Sequence, residues 1–407
     1  MYQWGLLTII MKKLLLLSIL ISFNSYGGWF DKTVCAETES QDRDGIIYLP
    51  NTTKPFSGKN LCEYKNGQIK SKGEIEDGHR DDIWTEWEEN GQIRFDRTYF
   101  AGQIEQERNY KNGELVSDTR YLYDVKGQIE NEETYKDGNL VNITVYLYFD
   151  NGQKKAEGIL QNGKLNGKST TWYKNGQIEE ELTYKDSKFD GKYTQWNENG
   201  QRSYEGDYKD GKLDGKVTTW NMNGQMIKES HYKNGKLDGN RTLWNEYGQV
   251  DVKGYYKDDK PINVIGYYYM GNGQIIKQEE ESYKDGKLVN HKSVLYYVTG
   301  QKEQEVDYKD GLSVSSRGWY KNGQMKWDID LISESHWYQS GRKRSEGGYK
   351  DGDRDGMWTD WYDNGVMKQV KSYKDGWEEG KWIYWDKNGQ ITSQEEYKEG
   401  ECISGDC

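Results

Sequence analysis

The stretch Asp190–Leu213 reads DGKYTQWNENGQRSYEGDYKDGKL, and the next, Asp214–Leu237, reads DGKVTTWNMNGQMIKESHYKNGKL. The two align without a gap at a period of 24 residues. A fixed period of this size is the signature of a repeat architecture and decides the fold class before any other consideration. Working outward, Asn-Gly-Gln or a near variant recurs, with its glycine at Gly91, Gly176, Gly200, Gly224 and Gly389 among others. An aromatic residue stands four before each: Trp87, Trp172, Trp196, Trp220, Trp244, Trp361 and Trp385 mark the row. Aromatics are only 14% of the chain, so the row is not chance. Eight after the glycine a tyrosine usually opens Tyr-Lys-Asp-Gly, as at Tyr184, Tyr208, Tyr232, Tyr373 and Tyr397. The runs between turn signals are six to eight residues long and rich in Thr, Tyr and Trp, which suits strands and is too short for typical helices. Asn-Gly between the two runs is expected to make the tight hairpin turn, since both residues tolerate positive φ. The expected fold is all-β: an elongated, twisted, single-layer antiparallel β-meander of ~24-residue hairpin repeats.

The pattern Trp-x-x-Asn-Gly-Gln followed by Tyr-Lys-Asp-Gly-Lys-Leu-Asp-Gly resembles the MORN-repeat variant of bacterial YwqK-like antitoxin proteins. The resemblance covers about residues 61–400 and implies successive β-hairpins in one long sheet. It also implies a binding role, with a toxin as the partner. The Tyr-x-Gly-x-Trp and His-Gly-x-Gly elements of typical eukaryotic relatives are not clear here, so the phospholipid binding sometimes attributed to those relatives is not expected.

Four segments are expected. Residues 1–27 read as an export signal, with Met11-Lys12-Lys13 as its basic start, an apolar run at 14–21, and Met11 as the natural initiator. Cys35 lacks a lipid-attachment context. Residues 28–60 read as an N-terminal cap, 61–400 as the array and 401–407 as a Cys-containing C-terminal cap. Cys35, Cys62, Cys402 and Cys407 all sit near the ends. In an exported chain an even count suggests disulfides, and Cys35–Cys62 with Cys402–Cys407 is the economical pairing. The spacing departs from 24 at 91–127, 261–283 and 324–341, where bends, bulges or an imperfect junction are expected.

Leu, Ile, Val and Phe make up about one residue in six, and 34 Tyr with 16 Trp must supply packing area instead. The net charge of −12 argues against nucleic acid and against an anionic membrane. His79, His231, His291 and His336 share no repeat position, and no nucleophile, phosphate-loop or metal motif is present. Glu179-Glu180-Glu181 and Glu279-Glu280-Glu281 fall on expected strands and read as solvated faces. No catalytic residue, cofactor or metal is expected, and the chain is read as a non-enzyme. The leading functional expectation is an exported scaffold, periplasmic or extracellular, that binds a protein partner through varied positions such as 193, 195, 203 and 205 on one face. The competing expectation is a glycan or cell-envelope binding module built on exposed aromatics. Trp220 is expected to pack between Trp196 and Trp244.

Overall fold

The computed structural model describes residues 32–407, so the export-signal reading of 1–27 lies outside the described residues. The described chain is almost wholly β. Its one helix is the four-residue Ala36–Glu39. A single open sheet holds 32 strands in which successive strands pair antiparallel, as Gly58–Glu63 with Ile69–Glu76 and Lys188–Trp196 with Arg202–Lys209; Trp377–Glu378 and Gly380–Trp385 share Met367–Lys374 as their partner. The exception is the opening strand Thr33–Val34, which runs parallel to Gly58–Glu63.

The turns explain why the chain folds back every dozen residues, and they correct one expectation. The tight two-residue turn is not at Asn-Gly-Gln but at Tyr-Lys-Asp-Gly. Asp210 and Gly211 have φ of 50° and 80°, and Asn234 and Gly235 have 52° and 86°. Two successive positive φ values define the hairpin turn that matches strand twist. At Asn-Gly-Gln only the glycine is left-handed, with Gly224 at 76°. That loop spans five residues, closed by Asn221 N–H donating to the Gln225 carbonyl and Gly224 N–H to the Asn221 carbonyl, both at 2.9 Å. The asparagine serves through its side chain instead: Asn199 Oδ1 accepts from the Gln201 amide at 3.0 Å, which needs no positive φ.

Contacts divide the chain into two units, Met1–Val141 and Asn142–Cys407. The first carries a true hydrophobic core. Val34, Ile47, Phe56, Ile75, Trp84, Phe95 and Tyr99 cluster there, all buried. The small hairpin Gln41–Arg43/Ile46–Tyr48 is docked by Ile47 N–H donating to the Gly78 carbonyl (2.8 Å) and Phe56 N–H donating to the Ile47 carbonyl (2.9 Å). Cys35 is disulfide-bonded to Cys62, which is 2% exposed.

The 36-residue interval from Gly91 to Gly127 is not a bend. It holds three strands, Ile93–Phe100, Gln103–Lys111 and Glu114–Tyr123, joined by two-residue turns at Ala101-Gly102 and Asn112-Gly113. The extra strand moves the next Asn-Gly-Gln-type turn to the opposite edge, where Gln103 Nε2 bonds the Gly127 carbonyl at 3.2 Å. It also moves the aromatic row to the other face. The register Trp84–Arg97–Glu107–Thr119 puts Tyr123 with Trp84, whereas Trp87 lies on the opposite side.

In the second unit, buried apolar side chains are isolated: Leu182, Val217, Leu237, Val294 and Trp382. The lengthened segment near 261–283 has ten-residue strands, Lys260–Tyr269 and Ile275–Lys284. The contracted one has short strands, Met325–Asp330 and Ser333–Trp337, with a turn held by Asp330 Oδ1 accepting from Ile332 N (2.9 Å) and Ser333 N (2.6 Å). Cys402 is disulfide-bonded to Cys407.

Candidate functional site

Alternation along each strand sends Lys192, Thr194 and Trp196 to one face of strand Lys188–Trp196. The same face receives Lys216, Thr218 and Trp220 from Lys212–Trp220. Between them strand Arg202–Lys209 places Glu205 opposite both Thr194 and Thr218. The result is a lane of alternating threonine and glutamate through Thr170, Glu181, Thr194, Glu205, Thr218 and Glu229. Thr170, Thr194 and Thr218 are buried. Lysines close the lane from one side: Lys168 reaches Glu181 at 2.7 Å, Lys192 reaches Glu205 at 2.8 Å and Lys216 reaches Glu229 at 2.6 Å. With half-exposed lysine heads, each such pair stabilises little, but the row leaves the lane neutral.

Outside this lane the side chains change from repeat to repeat. The cross-strand pair is Lys168/Thr183, then Lys192/Asp207, then Lys216/His231, then Asn240/Tyr255. The register also corrects one expectation. Tyr193 pairs with Gly206 and Thr194 with Glu205, so positions 193 and 195 lie on one face and 203 and 205 on the other. The extra residue bulged between Arg202 and Tyr204 makes paired residue numbers sum to an odd value, which separates residues of like parity.

The opposite face carries the ring contacts. One chain runs Tyr184–Phe189 (5.2 Å), Phe189–Tyr208 (5.4 Å) and Tyr193–Tyr204 (5.4 Å). A second runs Tyr349–Trp358 (5.3 Å), Tyr373–Trp382 (5.6 Å) and Trp382–Tyr397 (4.3 Å). Burial, helped by the Glu180 carboxylate that its hydroxyl bonds at 2.9 Å, pushes the Tyr193 phenol far above its ordinary value. Tyr232 pairs with Gly215 and Leu237 across its strands. The tryptophan row behaves differently. Trp87, Trp172, Trp196, Trp220, Trp244, Trp361 and Trp385 are all half-buried. Trp220 makes no ring contact with Trp196 or Trp244, because equivalent positions lie two strands, about 9.6 Å, apart.

The sequence reading missed the residue after the aromatic. Tyr173 OH donates to the Trp196 carbonyl (2.8 Å), Tyr338 OH to that of Trp361 (2.8 Å) and Tyr362 OH to that of Trp385 (2.9 Å). Asn175 Nδ2 donates to the Glu198 carbonyl (2.9 Å) and Asn199 Nδ2 to the Met222 carbonyl (3.2 Å). Successive loops are thus stitched together one repeat apart. The signal was in plain view, as Trp-Tyr at Trp172-Tyr173, Trp337-Tyr338 and Trp361-Tyr362. The loop glycines Gly91, Gly176, Gly200, Gly224 and Gly389 all have φ between 76° and 85°.

The acidic runs are split by the pleat. Glu181 joins the threonine lane, while Glu180 faces the rings and binds Tyr193 and Gln195 (2.6 Å). Glu279 is held by Lys277 at 2.5 Å and Tyr268 at 2.9 Å. Three lysine and arginine heads surround Glu305: Lys292 at 2.9 Å, Lys302 at 2.6 Å and Arg317 at 3.2 Å. Burial alone would raise its pKa; the two lysines overcome this and hold it at about 2. His336 meets Glu334 at 2.6 Å, and His291 stacks on Tyr308 at 5.1 Å. Among the described residues no group of three or more His, Cys, Asp or Glu side chains is placed to hold a metal.

Segments 165–186, 189–210, 213–234, 354–375 and 378–399 match the family described as MORN repeat variant, and in the fold each of them spans the two strands and intervening loop seen above. These five segments are MORN repeats. Such repeats are consistent with a scaffold for protein or membrane interaction, and the match does not distinguish the antitoxin subtype. A comparison with curated proteins finds no match. Among solved structures, the crystal structure of TcdB2-TccC3-TEV is similar over 88% of this chain and 24% of that one, at 13% identity and a TM-score of 0.16. This chain therefore spans about a quarter of that protein's length. A protein of unknown function from Bacteroides fragilis NCTC 9343 is similar over 48% of this chain and 94% of that one, at 12% identity and a TM-score of 0.09. Likenesses at these scores say nothing further about this chain. The two disulfides fit an oxidising compartment. No helix among the described residues is long and apolar enough to cross a membrane, a statement that leaves strands aside.

Proposed function

We propose that the MORN array is a non-enzymatic, exported scaffold that binds a protein partner, in the manner of an antitoxin or immunity protein. One observation carries this reading. The Thr/Glu lane is repeated almost unchanged beside a lane whose cross-strand partner changes in every repeat, from Asp207 to His231 to Tyr255, with the facing Lys192 and Lys216 giving way to Asn240. Such a face is built once and addressed differently at each step, which suits a large partner surface better than a single substrate. An exported role favours a partner in the envelope over a cytoplasmic toxin. The test is affinity capture of cross-linked partners from the envelope fraction with the intact protein. Recovery of one stoichiometric protein supports the scaffold; recovery of none sinks it.

The half-exposed tryptophan row supports a second reading, saccharide stacking on the cell envelope. Glycan-array binding lost on joint Trp196→Ala, Trp220→Ala and Trp244→Ala substitution, with the fold intact, would favour it over the first.

A further inference from the structure

A periodic face alone has no register, because a partner could slide by one repeat and meet nearly the same surface. Register needs a place that occurs once. The ring-bearing face of the second unit has one, beside the contracted hairpin Met325–Asp330/Ser333–Trp337. There the strand Lys343–Lys350 carries Gly347 and Gly348 side by side, and the Trp358 ring lies so close over Gly347 that a Cβ there would come within 2.1 Å of it. The glycine lets Trp358 lie flat on the sheet as one wall of a cleft of about 400 Å³.

Four cations line this cleft, Arg344, Arg354, Lys368 and Lys371, against two carboxylates, Glu334 and Asp360. Elsewhere in this acidic chain lysines and arginines commonly meet carboxylates, as at Lys192, Lys216 and Arg317. Here three of the four lie over aromatic rings instead. Arg354 lies 4.1 Å from the Trp358 centroid, Lys371 4.4 Å from Trp382 and Arg344 6.0 Å from Tyr338. A ring neutralises no charge, so these heads keep their capacity for an anion. The two carboxylates keep their charge, Glu334 accepting from Tyr349 and meeting His336, each at 2.6 Å, under the pull of Arg354, and Asp360 accepting from Gln369, so the four cations leave the cleft with a positive excess of two.

The geometry points to this cleft as the register site of the scaffold, receiving a short acidic segment of a protein partner. The inference rests on the scaffold reading above. Length decides the ligand class. A long polyanion such as nucleic acid, or an anionic bilayer, would extend past the cleft over a chain of net charge −12 and be repelled. A few Asp or Glu side chains would fill the cleft and end there.

The probe is a fluorescent hexaglutamate peptide titrated against the intact protein by anisotropy at low and moderate salt. Binding should weaken with salt, and Arg344→Gln with Lys368→Gln should lower affinity roughly three- to tenfold, as the loss of two exposed charge contacts implies. Both side chains are exposed, so the double variant should fold, as checked by circular dichroism. Lys192→Gln with Lys216→Gln, in the regular block, should leave binding unchanged. Absence of peptide binding, or equal loss in both double variants, overturns the inference. So does a cleft-dependent preference for phosphatidylglycerol vesicles or heparin over the peptide. Affinity capture separates this inference from the scaffold reading. A partner retained equally by the cleft variant refutes the register site and spares the scaffold, whereas no partner at all refutes the scaffold while the peptide titration still reports on the cleft.

Discussion

At the scale of single residues, the two tryptophan positions of a repeat are not equivalent. Trp84 is 3% exposed and covers Gly73, where an added Cβ would lie 2.4 Å from its ring. Trp220 is half-buried and touches no other ring of its row. Trp84→Ala should therefore cost about 3–5 kcal/mol, the usual range for a truncated core aromatic. Trp220→Ala should cost only about 1–2 kcal/mol, in line with partial burial. Urea midpoints of the two variants check the ordering, and equal losses would refute it. Glu305 gives a pH test. Its folded pKa of about 2 lies below the ordinary value, so its contribution is fully present above the unfolded pKa of about 4.3. That contribution is lost as pH falls from about 5 towards 2. With the side chain only 7% exposed, about 2–3 kcal/mol is at stake after screening by the half-exposed lysine heads. Wild type should lose that much more stability than Glu305→Gln between pH 5 and pH 2, as followed by denaturant melts.

At the scale of the element, each loop is held twice, once to itself and once to the next repeat. Asn175 Oδ1 accepts from Gln177 N at 3.0 Å, and Asn175 Nδ2 donates to Glu198 O at 2.9 Å. Asn175→Ala removes both bonds and should cost about 1–2 kcal/mol, while Tyr173→Phe removes one and should cost about 0.5–1.5 kcal/mol. Hydrogen exchange should quicken at the loops 173–177 and 197–201 and nowhere far from them; a chain-wide change would contradict a local role. These bonds also mark the limits of what the sequence disclosed. The period, the strands and both turns were legible, because Gly224 and Asp210-Gly211 sit where backbone sterics demand them. Which turn was the tight one was not, since Asn-Gly suits either and only the closing bonds discriminate. The faces of positions 193 and 205 follow from the odd sum of paired residue numbers; a two-residue turn at Asn199-Gly200 gives that same sum, so parity and not turn type was the step missed. The strand Gln103–Lys111 was read as a stretched spacing because Ala101-Gly102 lacks the aspartate that announces a two-residue turn elsewhere. The ring-mounted cations of the cleft were invisible, since they converge from three strands, Lys343–Lys350, Asp353–Trp361 and Met367–Lys374.

At the scale of the molecule, stability follows from pairing between sequence neighbours, and the repeats should be interchangeable in a defined way. Removal of Leu213–Lys236, 24 residues, joins Lys212 to Leu237 and regenerates Lys-Asp-Gly-Lys-Leu-Asp-Gly. Strand Arg202–Lys209 then meets Lys212 joined to Leu237–Trp244 in place of Lys212–Trp220. Glu205 would face Thr242 where it faced Thr218, and Tyr208 would keep a leucine opposite, Leu237 for Leu213. The threonine lane, both edges and both disulfides survive on paper, and a quasi-one-dimensional array tolerates the loss of one such unit. Removal of Met226–Leu237, half as long, behaves otherwise. It sets Asp238 directly after Gln225, so Arg241 falls four places after that glutamine, where Glu229 stood. Thr242 then points to the ring face, and every downstream residue changes sides, because strand alternation has a period of two. The 24-residue excision should stay soluble, keep its β-type circular dichroism and show no titratable thiol. The 12-residue excision should aggregate or expose the segment after it to protease. If both variants behave alike, register between neighbouring strands is not what specifies this fold.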